Sequence, residues 1–313
     1  MTLNDTDYPA PARVTIIVPV YNQAQFLPAC LGSLQAQTTT DWQAIIVDDG
    51  STTGDAEAAV QAAQNVAQNV AQNVANDTRF QLIRHESNRG LAASRNTGIR
   101  AARTRWVLCL DADDKLAGDA LETLLSLAER HPSGHAFFGN IQTFGVTNRS
   151  MPQTSQSPRE FFTQRLMPGA GFLVRRDFWR TCGGYCEDEI LKIGQEDTDF
   201  WITAFEHGVE VHDAGKLTYL YHRHGNNMTS LIHRDYHKVR KFIYQRHRGF
   251  INSRGMRRRY FANSYWRSAK GRWMRGERRA AMLFALWSLA IGRETMDLER
   301  ISQLNAWADA PKP

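Results

Sequence analysis

Hydropathy rhythm divides the chain into two unequal parts. Through about residue 222, short β-branched and apolar runs alternate with stretches whose apolar positions recur at helical spacing. Val14–Val20 (VTIIVPV) has the pattern of a strand covered on both faces. Phe26–Gln37 is helix-like, and Trp42–Val47 is a second strand running into Asp48-Asp49-Gly50-Ser51. Asp55 to about Asn76 is helical in composition, Phe80–His85 is a third strand and Gly90–Arg103 a further helix. Strand Trp106–Leu110 then leads into Asp111-Ala112-Asp113-Asp114, and helix Ala117–Arg130 follows. Strands separated by helices require crossover connections, so the pattern predicts an α/β fold with a mainly parallel sheet and helices on both faces.

After about residue 233 the strand rhythm stops. Arg-rich stretches with interleaved aromatics (Phe242, Tyr244, Tyr260, Tyr265, Trp266, Trp273) pass into an apolar run, Ala280–Ile291, broken by Ser288. This predicts a helical appendage. Twelve residues of helix reach roughly 18 Å, short of the roughly 30 Å hydrocarbon core, so no segment is expected to span a membrane. The expected division is an extended or disordered tail over 1–12, an α/β domain over 13–232 and a basic, aromatic-rich helical region over 233–313. Between Asp55 and Asn76 an Ala-Gln-Asn-Val repeat, Ala63 through Ala75, places Val66, Val70 and Val74 on one drifting stripe. Its expected role is a longer surface helix.

The composition is that of an ordinary globular protein, 42% hydrophobic and 22% charged over 313 residues. Four cysteines (Cys30, Cys109, Cys182, Cys186) are too few for a disulfide framework. Cys182 and Cys186 could approach a metal, but no second Cys or His pair completes a site, and buried thiols in a reducing compartment are the expectation. The N-terminus lacks the basic and apolar regions of a signal peptide. The expected location is therefore cytoplasmic, with a peripheral seat on the inner face of the membrane as the alternative. The net charge of +6 hides an asymmetry: Arg234–Arg279 carries 16 Lys/Arg against Asp235 and Glu277, so the rest of the chain is net acidic.

Two acidic clusters, Asp48/Asp49 and Asp111/Asp113/Asp114, fall at the carboxyl ends of predicted parallel strands. That edge of an open α/β sheet is where ligands bind. Either cluster alone reads equally well as turn chemistry; their common placement favours a shared crevice. Asp-x-Asp after a buried strand suits Mg²⁺ or Mn²⁺, which take one or two carboxylates and fill their remaining positions with phosphate oxygens and water. Asp113 is the expected direct ligand, with Asp111 on ribose or on the metal through water. The stretch Asn88 to Gly98 (NRGLAASRNTG) opens a helix with two arginines, and both helix amides and guanidinium groups favour phosphate. In Gln195-Glu196-Asp197-Thr198-Asp199, Asp197 is the candidate base that accepts a hydroxyl proton, with Glu196 next in line. A capped helix start is the plain structural reading of the same residues.

These motifs, in this order, resemble the inverting glycosyltransferase family 2. They are Val18-Pro19-Val20-Tyr21-Asn22, Val47-Asp48-Asp49-Gly50-Ser51-Thr52, Asn88 to Gly98, Leu110-Asp111-Ala112-Asp113-Asp114, Gly183-Gly184-Tyr185 and Glu196-Asp197-Thr198-Asp199-Phe200-Trp201. The resemblance covers roughly 13–225 and implies a GT-A fold. It implies transfer of a sugar, with inversion, from a nucleotide-sugar donor to a glycan or lipid-linked acceptor. Pro19, Tyr21, Asn88 and Gly90 would line the donor site, Asp48 or Asp49 would contact the base (usually uracil), and Arg95 would lie near the diphosphate. Asp111 and Asp113 would be the Asp-x-Asp pair with Mn²⁺ or Mg²⁺, and Asp197 the base. Tyr221-His222-Arg223-His224-Gly225 is similar to a late family turn, which would bring His224 to the metal or phosphate. The basic tail lies outside the resemblance. Packing as helices and contact with an anionic membrane surface through 234–291 are both compatible with it; nucleic acid is the least favoured partner. Two rival functions are a nucleotidyltransferase, which usually carries a Gly-rich loop where Pro19-Val20-Tyr21-Asn22 stands, and an inactive nucleotide-sugar-binding protein.

Overall fold

The computed structural model describes residues 12–70, 77–152, 157–158, 160–161, 167–224 and 236–292, the side chains of 66–70 excepted. The expected tail over 1–12 and the end of the Ala-Gln-Asn-Val repeat lie almost wholly outside these residues. The chain forms two compact units. The first comprises Met1–Gln156, Leu166–Lys192 and Glu196–Gly225; the second comprises Ser157–Arg165, Ile193–Gln195 and Asn226–Pro313.

The first unit is built on a nine-stranded sheet. Its strands are β1 (Val14–Val20), β2 (Trp42–Asp48), β3 (Phe80–Arg84), β4 (Trp106–Cys109), β5 (Lys115–Leu116), β6 (Ala136–Gly145), β7 (Ser150–Met151), β8 (Leu173–Arg175) and β9 (Val211–Arg223). The order is β3-β2-β1-β4-β8-β6-β9-β5, with β7 on β6. The half that carries the acidic clusters, β3-β2-β1-β4, is parallel throughout. Every residue of β1 and β2 is buried, which is why both read as unbroken apolar runs. Beyond β4 the sheet is mixed: β8 runs antiparallel to β4 and β6, while β9 is parallel to β6 and antiparallel to β5.

Helices α1 (Leu27–Gln35), α2 (Ala56–Val70), α3 (Leu91–Ala101) and α4 (Ala120–Arg130) connect these strands. Leu27, Leu31 and Leu34 of α1 and Leu121, Leu124 and Leu125 of α4 share one hydrophobic core with β1, β2 and β4. Helix α3 needs the small side of Gly98 to reach the sheet. A Cβ there would lie 2.4 Å from Ile17 Cγ2 and 3.3 Å from Val47 Cγ2. This close seat fixes the direction in which α3 presents Arg95 and Asn96. The predicted helix Ala117–Arg130 starts three residues late, because the pairing of Lys115–Leu116 with Tyr219–Leu220 is prolonged by the Ala117 amide, which donates to the Thr218 carbonyl at 3.0 Å. Two further helices, α5 (Arg176–Thr181) and α6 (Glu196–Glu206), complete the unit.

The second unit contains, among the described residues, the helices α7 (Tyr236–Arg246), α8 (Arg248–Ser253), α9 (Arg257–Met274) and α10 (Arg278–Ile291). The helical appendage expected from the loss of strand rhythm is therefore present. Ala262, Ala269, Ala281, Ala285 and Ser288 are fully buried, and Ser288 Oγ donates to the Ala262 carbonyl at 2.8 Å. Small residues thus let α9 and α10 approach closely.

Candidate active site

Because β1, β2 and β4 are adjacent and parallel, the loops that follow them leave one edge of the sheet side by side. The loops after β1 and β2 are tied together by a single side chain. Asn22 Oδ1 accepts from the Thr52 and Thr53 amides at 2.8 and 3.0 Å, and the Asn22 amide donates to Ser51 Oγ. Asn22 itself sits at φ +53°, a left-handed conformation that Asn tolerates better than most residues. Pro19 is buried within β1, whereas Tyr21 beyond it is 42% exposed.

Asp48 and Asp49 point into the protein. Asp48 caps its own turn, accepting from the Ser51 amide at 2.9 Å, with Arg84 Nε at 3.4 Å. Asp49 accepts from His85 Nδ1 (2.7 Å) and from the Arg89 and Gly90 amides (2.9 and 2.8 Å). It thereby shapes the turn that enters α3. Gly90, at φ +94°, is the residue before that helix, a conformation that disfavours any side chain. Asn88 is exposed on the same loop. On α3, Asn96 clamps the Gly183-Gly184-Tyr185 turn: Nδ2 donates to the Tyr185 carbonyl at 2.8 Å and Oδ1 accepts from the Tyr185 amide at 2.9 Å.

Arg95 is an interior residue, not a surface arginine. Only 2% exposed, it spans two carboxylates, with Nη2 on Asp111 Oδ1 and Nη1 on Glu196 Oε1, each at 2.8 Å. Its guanidinium also lies 5.5 Å from the centroid of the Tyr185 ring. The arginine expected near the diphosphate thus joins the loop after β4 to the first turn of α6. Glu196 is itself buried, and burial raises its carboxyl to about 7 despite the opposing pull of Arg95, with Asp197 adding to the rise. The adjacent Asp197 is partly exposed; its Oδ1 accepts from the Thr198 amide at 2.7 Å, and its Oδ2 lies over Gly169.

The three aspartates after β4 have three different environments. Asp114 is buried and holds β9 in place, accepting from Tyr219 Oη at 2.6 Å and from the His222 amide at 2.7 Å. Asp111 keeps 31% of its side chain exposed beside Arg95. Asp113 Oδ2 lies 2.9 Å from His224 Nε2, with Gln23 Nε2 at 3.4 Å. Burial and the neighbouring Asp111 charge push the Asp113 carboxyl up, and the His224 contact works against that rise. Phe26 and His222 flank His224, at ring distances of 5.1 and 4.9 Å. Sequence reasoning missed Gln23, Phe26 and Tyr219. The last lies in a half-polar strand whose pattern carries no signal of chemistry.

Among the described residues no group of three or more His, Cys, Asp and Glu converges as a ready metal cage. The donor set still fits a hard cation: two neighbouring carboxylates, Asp111 and Asp113, with an imidazole against Asp113. Mg²⁺ and Mn²⁺ need few protein ligands when phosphate and water fill the remaining positions. Cys182 does not compete, since burial pushes its thiol up to about 12.

Residues 15–187 match the family described as Glycosyl transferase family 2. The chain is 27% identical over 259 residues to the uncharacterized glycosyltransferase EpsJ of Bacillus subtilis, covering 78% of this chain and 71% of EpsJ. In fold it is similar to TarS 1–349 of S. aureus in complex with UDP-GlcNAc, with a TM-score of 0.56 and 19% identity, over 90% of this chain and 74% of TarS 1–349. It is also similar in fold to the mannosyltransferase PcManGT of Pyrobaculum calidifontis in complex with GDP-Man and Mn²⁺, with a TM-score of 0.53 and 19% identity, over 95% and 79% of the two chains.

Proposed function

Since the chain belongs to glycosyl transferase family 2 and is a glycosyltransferase, we propose that it moves a sugar from a nucleoside-diphosphate donor, a UDP-sugar above others, onto an acceptor hydroxyl of a glycan or lipid-linked glycan with inversion. TarS, a neighbour in fold, binds UDP-GlcNAc, which supports the donor class. The acceptor oxygen forms its bond to the anomeric carbon while the bond to the departing nucleoside diphosphate breaks. Asp197 takes the hydroxyl proton during that displacement. Asp113, Asp111 and His224 would hold Mn²⁺ or Mg²⁺, which supplies a positive charge to stabilise the leaving diphosphate. Pro19, Tyr21, Asn88 and Gly90 line the donor side, and Asp48 rather than Asp49 is the better candidate for the base, because Asp49 is held by two amides and His85.

The observation that carries this reading is the Asp111–Arg95–Glu196 bridge, which ties the donor loop to the residue beside the base. Asp197→Asn should leave nucleotide-sugar binding within about twofold of wild type while lowering transfer at least about a hundredfold, the range for a lost general base. Binding is followed by calorimetry with Mn²⁺. Transfer is followed as nucleoside-diphosphate release from a panel of nucleotide-sugars with simple glycoside acceptors. Wild-type turnover by the Asn variant would remove Asp197 from the role.

A further inference from the structure

The last described helix is built inside out. Ala281, Ala285 and Ser288 of α10 are fully buried, while Leu283, Leu286 and Trp287 are 56%, 53% and 51% exposed. Arg279 and Ala290 are exposed as well, so positions 279, 283, 286, 287 and 290 form a continuous outward stripe at helical spacing. Trp287 is braced by Tyr265 and Phe284, with ring centroids 5.7 and 5.5 Å away. Met274, at the end of α9, is 75% exposed. Clustered large apolar groups facing water mark a contact surface rather than scattered exposure.

We propose that this stripe of α10 seats the chain on an anionic lipid surface, with Leu283, Leu286 and Trp287 entering the headgroup–acyl boundary. Charge identifies the occupant. Residues 236–292 hold 15 Lys/Arg against the single acid Glu277. A unit with that excess of positive charge repels a second copy of itself and attracts anionic headgroups, which reward each nearby Lys or Arg. No described helix is long and apolar enough to cross a membrane, so the contact is one of lying in the interface. A tryptophan on the apolar side suits that depth, since its amphipathic ring favours the boundary. The inference does not depend on the donor or acceptor assigned above.

The test uses the full chain and sedimented vesicles of phosphatidylcholine alone or with phosphatidylglycerol. Wild type should partition at least about tenfold more strongly onto the anionic vesicles. Leu283→Ser/Leu286→Ser/Trp287→Ser should lose at least about tenfold of that partition, since both the apolar stripe and the charge contribute. Its thermal midpoint should stay near wild type, because the changed residues face solvent. A second readout survives any folding failure of the triple variant: brominated lipid should quench wild type more than Trp287→Phe. The proposal fails if anionic vesicles do not bind, if the triple variant binds as well as wild type, or if Trp287→Phe is quenched equally. It fails too if sedimentation velocity shows lipid-free self-association that the triple variant abolishes, which would identify a second copy as the occupant.

Discussion

Glu196→Gln isolates the energetic consequence of burying a carboxylate beside Asp197. Glu196 is 5% exposed and accepts from Arg95 at 2.8 Å, yet burial dominates and raises its carboxyl from the ordinary 4.5 to about 7. A group whose folded value exceeds its unfolded value stabilises the fold fully below the unfolded value and loses that contribution as pH rises through the folded one. The window here runs from about pH 4.5 to somewhat above pH 7. At roughly 1.4 kcal/mol for each tenfold change in proton concentration, the loss across it is about 3 kcal/mol. Gln keeps the shape and an oxygen for Arg95 but cannot ionise, so its stability lacks this fall. Unfolding by urea, in EDTA so that no cation intervenes, at half-unit steps from pH 4.5 to 8 gives the two profiles. The Gln variant should gain on wild type by about 3 kcal/mol between the ends of the range, most of it between pH 5 and 7.5. Parallel profiles would show that Glu196 ionises as readily folded as unfolded, and the account of its environment would be wrong.

Removing Arg95 should have the opposite character. Arg95→Met leaves Glu196 buried and Asp111 without its partner, a loss of about 3–5 kcal/mol for a broken buried pair; combining it with Glu196→Gln should recover part of that, as thermal denaturation of the single and double variants would read. Asp113→Ala should abolish the Mn²⁺-dependent increment in nucleotide affinity measured by calorimetry, His224→Ala should weaken it, and EDTA should remove it from wild type; an increment that survives Asp113→Ala would place the cation elsewhere.

The parallel half of the sheet was readable because its strands are buried on both faces, so β1, β2 and β4 appear as continuous apolar runs that no surface element produces. The mixed half was not. β9 reads VHDAGKLTYLYHR, and most of its residues are only partly buried or exposed, so polar positions break the alternation that would mark a strand. Its pairing partner β5 is two residues long, below the length at which any period exists. The start of α4 was displaced for the same reason: the amide of Ala117, the first residue of the expected helix, is claimed by the Thr218 carbonyl of a strand distant in sequence. Propensity yields to tertiary pairing there.

What the sequence divided only in part was the labour among its carboxylates. Asp48, Asp49, Asp111, Asp113 and Asp114 are chemically alike and lie in two similar turns; the Asp-x-Asp spacing singles out Asp111 and Asp113, but nothing local separates Asp48 from Asp49 or gives Asp114 a role. Their partners separate them, and those partners come from distant segments: His85 and the Arg89 and Gly90 amides for Asp49, Tyr219 and the His222 amide for Asp114. A carboxylate that accepts two or more interior hydrogen bonds has its lone pairs occupied and is costly to turn outward, because the amides it satisfies would be left buried and unpaired. Asp49 and Asp114 are therefore frame residues that fix the loops, whereas Asp111 and Asp113 retain exposure and repel each other, the condition a cation relieves. Arg95 completes the distinction. Being always charged and able to fork between two carboxylates, it binds Asp111 and Glu196 at once, so a shift of the loop after β4 would be transmitted to the turn that carries Asp197. A lysine, with a single point of charge, could not hold both at this spacing. With the roles proposed above for Asp111 and Asp197, one buried guanidinium would couple donor occupancy to the position of the base.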